Sequence, residues 1–144
     1  MKVMVATDGS PAGSAALKFG ARLARLDPSV ALTVVTVTPE DGASAPAAGR
    51  PSLVPADRAM SSAARTLSRE GVRAALERVG RRPSEAVPDA ISRHADRLGA
   101  DLVVVGSEGR DTLSEWVVGG VALRLIYVAR RPVVVVRAPR RRRA

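Results

Sequence analysis

The stretch DLVVVGSEGRDTLSEWVVGGVALRLIYVARRPVVVV, residues 101–136, decides the fold of this chain. It opens with an apolar run at 101–105, which is short enough for a strand that is buried on both faces. The glycine-containing segment 106–109 then permits a tight turn, residues 119–129 follow as a helix, and residues 132–136 form a second apolar strand. Strand, turn, helix and strand make a βαβ unit. The backbone N–H groups of such a turn, together with those of the following helix N-terminus, form a site for an anion.

The rest of the chain repeats this alternation of strand and helix. Apolar stretches predict strands at residues 1–7 and 31–38, and an alternating pattern predicts a third strand at 72–77. Amphipathic stretches predict helices that start at the capping residues Ser10, Asp57 and Ser84 and reach residues 26, 69 and 98. Five strands and four helices in this order predict an α/β fold, a single doubly wound five-stranded parallel sheet with helices on both faces. The strand at 72–77 alternates apolar and polar residues, which predicts an edge strand.

Ligands of doubly wound sheets bind beyond the carboxyl ends of strands, at the point where the strand order reverses. The first strand ends at Asp8 and the fourth at Gly106, and we expect these two ends to be neighbours at that point. Ser10 caps the following helix, so the carboxylate of Asp8 is available for a ribose hydroxyl or for a metal held through water. The alternative is an Asx-turn that closes the corner between strand and helix.

The glycine spacing, G-x-x-G followed by nine residues and Gly-Gly, is neither the Rossmann fingerprint nor a P-loop. Together with the opening VMVATDGS at 3–10 and the closing PVVVVR at 132–137, it resembles the universal stress protein family. ATP-binding members of that family carry G-x-x-G, nine residues, then Gly followed by Ser or Thr. The resemblance covers nearly the whole chain. It implies a Rossmann-like, adenine nucleotide alpha hydrolase-like domain over residues 1–137, followed by a basic tail at 138–144.

The same resemblance implies a set of contacts to an adenine nucleotide. The residues that match the family's positions are Thr7, Asp8, Val37, Val105, Gly106, Gly109, Arg110, Gly119, Gly120, Val121 and Ala122. The implied cofactor is ATP, with Mg²⁺ when the nucleotide is bound. For the strand residues of this set the alternative is ordinary burial, and for the glycines it is turn geometry alone.

Three residues depart from the family's motif. Gly120 stands where the motif has a hydroxyl, Ala122 stands where members often place another, and Glu108 puts a carboxylate inside the G-x-x-G segment. A neutral hydrogen bond contributes roughly 0.5–1.5 kcal/mol, so the loss of two weakens binding by about ten-fold to a hundred-fold. Backbone N–H groups remain, and Arg110 adds positive charge. The sequence therefore predicts weak ATP binding.

Composition excludes several classes of function. The chain has no cysteine, and His94, its one histidine, lies in the middle of a predicted helix, so no catalytic residues and no metal ligands are predicted. We therefore predict that the chain is not an enzyme, with weak ATP hydrolysis as a remote alternative. No apolar run approaches transmembrane length and residues 1–10 form a strand rather than a signal peptide, which predicts a cytoplasmic protein without a membrane partner.

Positive charge is concentrated near the carboxyl end. The net charge is +9, yet residues 1–115 carry fifteen basic against fourteen acidic side chains, whereas the residues from Trp116 onward carry eight arginines and no acidic residue. The tail Arg140–Arg143 offers weak, sequence-independent binding of nucleic acid. No aromatic side chain interleaves these arginines to stack on bases, so we favour a solvated end over a nucleic-acid site.

Two classes of function remain open. The first is a stress-response protein that binds or senses an adenine nucleotide, and the second is a non-nucleotide-binding dimeric interaction or regulatory protein. The last strand, Val133–Val136, is fully apolar and is predicted at a sheet edge, which natural proteins usually cover. The resemblance implies that the same strand of a second subunit covers it, giving a homodimer. The segment Pro39–Pro55 is either a flap near the nucleotide or plain disorder.

Overall fold

The computed structural model describes residues 1–38, 55–107 and 120–138. Strands and helices alternate along these residues as β1 (Lys2–Ala6), α1 (Pro11–Leu26), β2 (Ala31–Thr38), α2 (Pro55–Glu70), β3 (Ala75–Gly80), α3 (Val87–Leu98), β4 (Leu102–Ser107), α4 (Gly120–Val128) and β5 (Val133–Arg137). All neighbouring strands are parallel, and their order across the sheet is β3-β2-β1-β4-β5. This confirms the predicted single doubly wound five-stranded parallel sheet.

Helices cover both faces of the sheet, as predicted. Side chains of α1 and α2, among them Leu17 and Leu67, pack with Val3 and Val5 on one face. On the other face, α3 and α4 pack against a cluster that includes Met4 of the same strand. Successive residues of a strand point to opposite faces, so a continuous apolar run such as β1 is needed to fill both layers.

Sequence reasoning placed the start of α3 incorrectly. Ser84 was predicted to cap the helix, but it has a positive φ of 59°, whereas an N-cap residue has an extended backbone. Ala86 takes the N-cap position with φ −74° and ψ 153°, and no side chain caps the helix. Pro88 lies at the first or second helical position, where its missing N–H is tolerated.

The boundaries of α2 and β3 also differ from those predicted. The helix begins at Pro55, so Asp57 lies in its first turn rather than at its cap. It ends at Glu70, followed by Gly71 with φ 66°, and the N–H of Val72 donates to the carbonyl of Leu67 at 3.0 Å. This closing turn uses residues that alternation had assigned to the strand, and β3 therefore starts only at Ala75. The prediction that this strand lies at an edge is confirmed.

The sheet order determines where a ligand can bind. The crossovers proceed from β1 to β2 and β3 in one direction, and from β4 to β5 in the other, so the order reverses between β1 and β4. These two strands are neighbours, with Val3, Met4 and Val5 opposite Leu102, Val103 and Val104. The predicted switch point is thus present, and β3 and β5 form the two edges. No helix of the described ranges is long and apolar enough to span a membrane.

Candidate functional site

The corner between β1 and α1 is closed by side chains that accept hydrogen bonds from the backbone. Asp8 accepts the N–H of Ser10 at 2.9 Å through Oδ1, and Thr7 accepts the N–H of Gly9 at 3.2 Å through Oγ1. Ser10 caps α1 by accepting the N–H of Gly13 at 3.1 Å, which confirms the predicted cap. The Asx-turn considered for Asp8 is therefore present. A carboxylate has about four acceptor positions and Asp8 is exposed, so this turn leaves capacity for a ligand.

Two glycines allow unusually close contacts at this corner. A Cβ at Gly13 would lie 2.5 Å from Oγ1 of Thr7 and 2.9 Å from Oδ1 of Asp8. A Cβ at Gly106 would overlap the backbone carbonyl of Ala12, so the end of β4 lies directly against the first turn of α1. Because backbone atoms cannot move aside as a flexible side chain can, Gly106 is required by this packing alone.

The predicted site residues fall into three groups. Five of them lie at the carboxyl ends of the three adjacent strands β2, β1 and β4: Thr7, Asp8, Val37, Val105 and Gly106. Residues Gly120, Val121 and Ala122 form the first turn of α4, which starts at the same end of the sheet. The remaining three, Gly109, Arg110 and Gly119, lie outside the described residues, as does Glu108.

Burial limits how several of these residues could touch a ligand. Val105 and Ala122 are buried in the core on the α3–α4 face, and Val37 is half-buried against the same cluster. The side chain of Ala122 is therefore committed to the core, and only its backbone is free for a phosphate. Gly120 and Val121 are exposed, and no described atom lies within 4 Å of a Cβ at Gly120.

Sequence reasoning overlooked two residues of this corner. Ser107 at the end of β4 is buried despite its hydroxyl group, and its carbonyl accepts the N–H of Ala138 at 3.2 Å. Ala12 supplies the backbone that Gly106 touches. Ser107 could have been noticed as the second residue of the G-x-x-G segment. The contact of Ala12 with Gly106 joins residues that are distant in the sequence, so no local sequence pattern predicts it.

The loop after β3 starts at the same end of the sheet, beyond the carboxyl ends of the strands, and an ion pair holds it. Arg93 of α3 donates from Nε and from one terminal nitrogen to the carboxylate of Glu85, at 3.1 and 2.9 Å. The hydrogen bond from Arg93, with a second from the N–H of Arg82, lowers the pKa of Glu85 from its ordinary 4.5 to about 2. The carboxylate in turn raises the pKa of Arg93. The pair ties the loop after β3 to α3.

The ionisable groups of the described residues do not resemble a catalytic centre. No group of three or more His, Asp or Glu side chains in these ranges lies close enough together to hold a metal ion. Nε2 of His94 lies 2.7 Å from a carboxylate oxygen of Glu77 on β3, at the edge of the sheet remote from β4. The histidine is therefore engaged in a pair between α3 and an edge strand.

Comparison with known proteins gives the family. A model described as the universal stress protein family matches residues 1–137. This chain belongs to the universal stress protein family. A universal stress protein of Methanocaldococcus jannaschii is 32% identical over 149 residues, a match that covers 97% of this chain and 84% of the relative.

Solved structures of other universal stress proteins share the fold. A Burkholderia pseudomallei member of the family is 30% identical, with a TM-score of 0.65 and 94% of each chain covered. The universal stress protein of Archaeoglobus fulgidus in complex with dAMP is 27% identical, with a TM-score of 0.71, and the match covers 94% of this chain and 97% of that one. The second structure contains an adenine nucleotide.

Proposed function

We propose that this universal stress protein binds an adenine nucleotide beyond the carboxyl ends of β1 and β4 and responds to it without catalysing a reaction. The observation that carries the proposal is that the start of α1 and the end of β4 meet at the switch point of the sheet, where Gly106 lies against Ala12. The exposed carboxylate of Asp8 lies at the same end of the sheet, just after β1. The Archaeoglobus fulgidus relative in complex with dAMP supports an adenine nucleotide as the ligand.

The proposed site favours the nucleoside monophosphate portion over a triphosphate tail. Asp8 would accept hydrogen bonds from ribose hydroxyls, and Val37 would contact the base from the neighbouring strand. The first turn of α4 would offer backbone N–H groups to a phosphate. Gly120 contributes no hydroxyl there, and Ala122 faces the core. ATP and its Mg²⁺ would therefore gain little over AMP.

The nucleotide itself can be identified without assuming which one is bound. The purified protein is denatured, and the released small molecules are analysed by absorbance and mass. We expect an adenine nucleotide in a fraction of the molecules, or uptake of AMP by protein stripped of ligand. Protein that releases no nucleotide and binds neither AMP nor ATP would support the alternative, a dimeric interaction protein that uses no nucleotide.

Gly120→Ser tests whether the first turn of α4 faces a phosphate. Restoring one hydroxyl should strengthen ATP binding by about two-fold to twelve-fold, the equivalent of roughly 0.5–1.5 kcal/mol. Gly80→Ser is the matched control, since no described atom lies within 4 Å of a Cβ at either glycine. We expect the control to leave binding unchanged. Equal affinities of both variants and the parent, measured by calorimetry, would place the phosphates elsewhere.

We also propose that the chain forms a homodimer through β5. In the β4–β5 ladder, the carbonyl of Pro132 accepts the N–H of Val103, and the N–H of Ala138 donates to Ser107. Successive residues of a strand direct their backbone N–H and C=O groups to opposite sides. The backbone groups of the even-numbered residues of β5 therefore point to β4, and those of the odd-numbered residues point to the open edge. Antiparallel pairing about a two-fold axis at Val135 would then use every outward backbone group. Val135 would pair with Val135 of the second copy, and Val133 would pair with Arg137 of the second copy.

Proline at the centre of that register tests the dimer. Val135→Pro removes an outward N–H and leaves the even-numbered residues to pair with β4, which edge strands tolerate. We expect the parent protein to have a dimer mass by light scattering at tens of micromolar, and the variant to have a monomer mass with its circular dichroism retained. A monomeric parent, or a variant that stays dimeric, would reject pairing through β5.

The remaining assignments belong to the same proposal. We take residues 1–137 as the domain and 138–144 as a basic tail, whose first residue Ala138 still donates its N–H to Ser107. Residues 139–144 lie outside the described part of the chain. A stress-response role in the cytoplasm rests on family membership alone. Deleting residues 138–144 should remove any low-salt binding of nucleic acid, because each neutralised phosphate contributes through counterion release.

A further inference from the structure

The two faces of the sheet carry different charges, which a count along the sequence does not show. Helices α1 and α2, which pack on one face, hold six basic and two acidic side chains. Helices α3 and α4 on the other face hold three arginines and two aspartates, with His94 counted as neutral. The excess of positive charge is therefore larger on the face of α1 and α2.

All six cations of α1 and α2 are exposed and lie on the outer side of their helices. At 100° per residue, they lie opposite to the buried residues, such as Ala16 of α1 and Ala63 of α2. Because α1 and α2 contact each other, the cations of the two helices form one surface. This surface, here called the basic face, consists of Lys18, Arg22, Arg25, Arg58, Arg65 and Arg69.

Few acidic side chains neutralise the basic face. Asp57 of α2 is paired with Arg78 of β3. Glu70, the other acidic residue of α2, is paired with Arg25 at 2.6 Å. The other five cations of the basic face form no ion pair with any residue in the part of the chain that the structure describes. On the opposite face, both aspartates of α3 are paired with arginines, so the charges there are largely compensated.

Stability of the monomer does not explain the basic face. Arg22 lies four residues after Lys18 and three before Arg25, and Arg69 lies four residues after Arg65. Like charges at these spacings destabilise a helix. Arg25 and Arg69 lie in the last turns of their helices, where the helix dipole favours a cation, but the other four cations do not. A bound anionic partner would relieve this repulsion.

The arginines of α2 fit an acidic helix. Arg58, Arg65 and Arg69 are separated by seven and four residues, so they lie along one line of α2 and are spaced by about 10.5 Å and about 6 Å. A partner helix has the same rise per residue, so acidic side chains at these spacings would face them. The bases of a single-stranded nucleic acid would find no aromatic side chain to stack on, because Phe19 is half-buried against the core and α2 has no aromatic residue.

We propose that the basic face binds an acidic helical segment of a partner protein, whose carboxylates pair along Arg58, Arg65 and Arg69. Arginine suits this role, because its planar guanidinium can donate two hydrogen bonds to one carboxylate. Helix α2 contacts β2 and β3, so these arginines are remote from the open edge of β5. The inference depends neither on the proposed nucleotide nor on the proposed dimer.

Two double variants of the full chain test the binding surface. Arg58→Gln with Arg65→Gln removes two charges from the basic face, and Arg97→Gln with Arg124→Gln removes two exposed arginines from the opposite face as the matched control. The probe is a fluorescein-labelled, alanine-rich helical peptide whose glutamates repeat the spacing of seven and four residues. By anisotropy at low salt, we expect the first variant to weaken binding about five-fold or more and the control to weaken it by less than about two-fold. Equal losses would show that binding follows net charge alone and would overturn the proposal.

Two further probes test the kind of partner. A peptide of the same composition, with its glutamates spread around the helix, should bind at least about three-fold more weakly than the first peptide. Duplex DNA of about 20 base pairs should respond equally to both double variants, because we assign its weak binding to the tail Arg140–Arg143. Equal binding of the two peptides would overturn a helical partner. Loss of DNA binding in the first variant alone would identify a nucleic-acid surface instead and would also overturn the proposal.

Discussion

The two edges of the sheet, β3 and β5, have opposite chemical character. Strand β5 has four consecutive half-buried valines and no charged residue before Arg137. Strand β3 has Glu77 and Arg78 at its centre. An edge presents unpaired backbone groups to solvent, and charged side chains are a common means of preventing another strand from pairing there. The difference indicates that β3 is protected against association and that β5 is the edge available for it.

Side chains from neighbouring helices hold the charges of β3 in place. Arg78 forms an ion pair with Asp57 of α2, and Glu77 is paired with His94 of α3. A third side chain, Arg93, donates to the carbonyl of the last residue of β3 at 2.9 Å. Among the described residues no side chain makes a hydrogen bond to the outward backbone groups of β5. Protection of an edge therefore depends on tertiary contacts as well as on the composition of the strand.

The largest expected effect is a difference in stability between proline substitutions on the two sides of β5, the side that pairs with β4 and the side at the open edge. Val134 should donate its N–H to β4, whereas Val135 should point its N–H to the open edge. Val134→Pro removes a buried ladder hydrogen bond, and we expect the free energy of unfolding to fall by at least about 2 kcal/mol. Val135→Pro should change the unfolding of the monomer by less than about half that amount. Urea titrations at low protein concentration make the comparison, and equal losses would show that the alternation is assigned incorrectly.

A smaller effect is expected from opening the protected edge. Glu85→Gln removes the charge that orients Arg93 toward the end of β3, and we expect a loss of roughly 1 kcal/mol of stability. Glu70→Gln is the control, because Glu70 pairs with Arg25, whose side chain is 49% exposed, and the loss should stay below about 0.5 kcal/mol. We further expect Glu85→Gln to form species larger than a dimer at high concentration. Identical behaviour of the two variants would contradict a role for this pair in covering β3.

The pH dependence of stability provides the weakest but most specific signal. The pKa of Glu85 is lowered to about 2 by its hydrogen bonds to Arg93 and Arg82, so its ionised form stabilises the fold. This contribution is complete above the ordinary pKa of 4.5 and is lost as the pH falls toward 2. The difference between the parent protein and Glu85→Gln should therefore be constant from neutral pH to about 4.5 and should shrink below it. A difference that stays constant down to pH 2 would exclude this assignment.

The sequence predicted the elements of this fold better than their ends. Apolar runs such as 102–105 and 133–136 are continuous because both faces of a parallel sheet are covered, and they identify strands without any tertiary information. The β3 edge was predictable for a different reason, because residues 72–77 alternate apolar and polar side chains, as suits a strand exposed on one face. Ser84 was misassigned because its positive φ is set by the loop around it, where Glu85 is held by Arg93 of a different element. A capping pattern cannot include such a distant contact.

In the candidate site, too, local patterns were predictable from the sequence and distant contacts were not. Glycine spacing identified Gly106, and the strand order placed it beside β1, as the structure confirms. The reason for glycine at that position is the backbone of Ala12, which is more than ninety residues away in the sequence. Likewise, the sequence treated Gly120 and Ala122 as equivalent losses of a hydroxyl. Burial distinguishes them, since only Gly120 is exposed and its variants can reach a ligand.

The proposal that this chain binds an adenine nucleotide is tested most directly by calorimetric titration of the ligand-free protein with AMP and with ATP. We expect saturable binding of both at a single site per chain. Their dissociation constants should lie within about ten-fold of each other, because few groups in the proposed site favour the distal phosphates. Saturable binding of neither nucleotide would contradict the proposal, and the chain would then be an interaction protein whose defining feature is the open edge at β5.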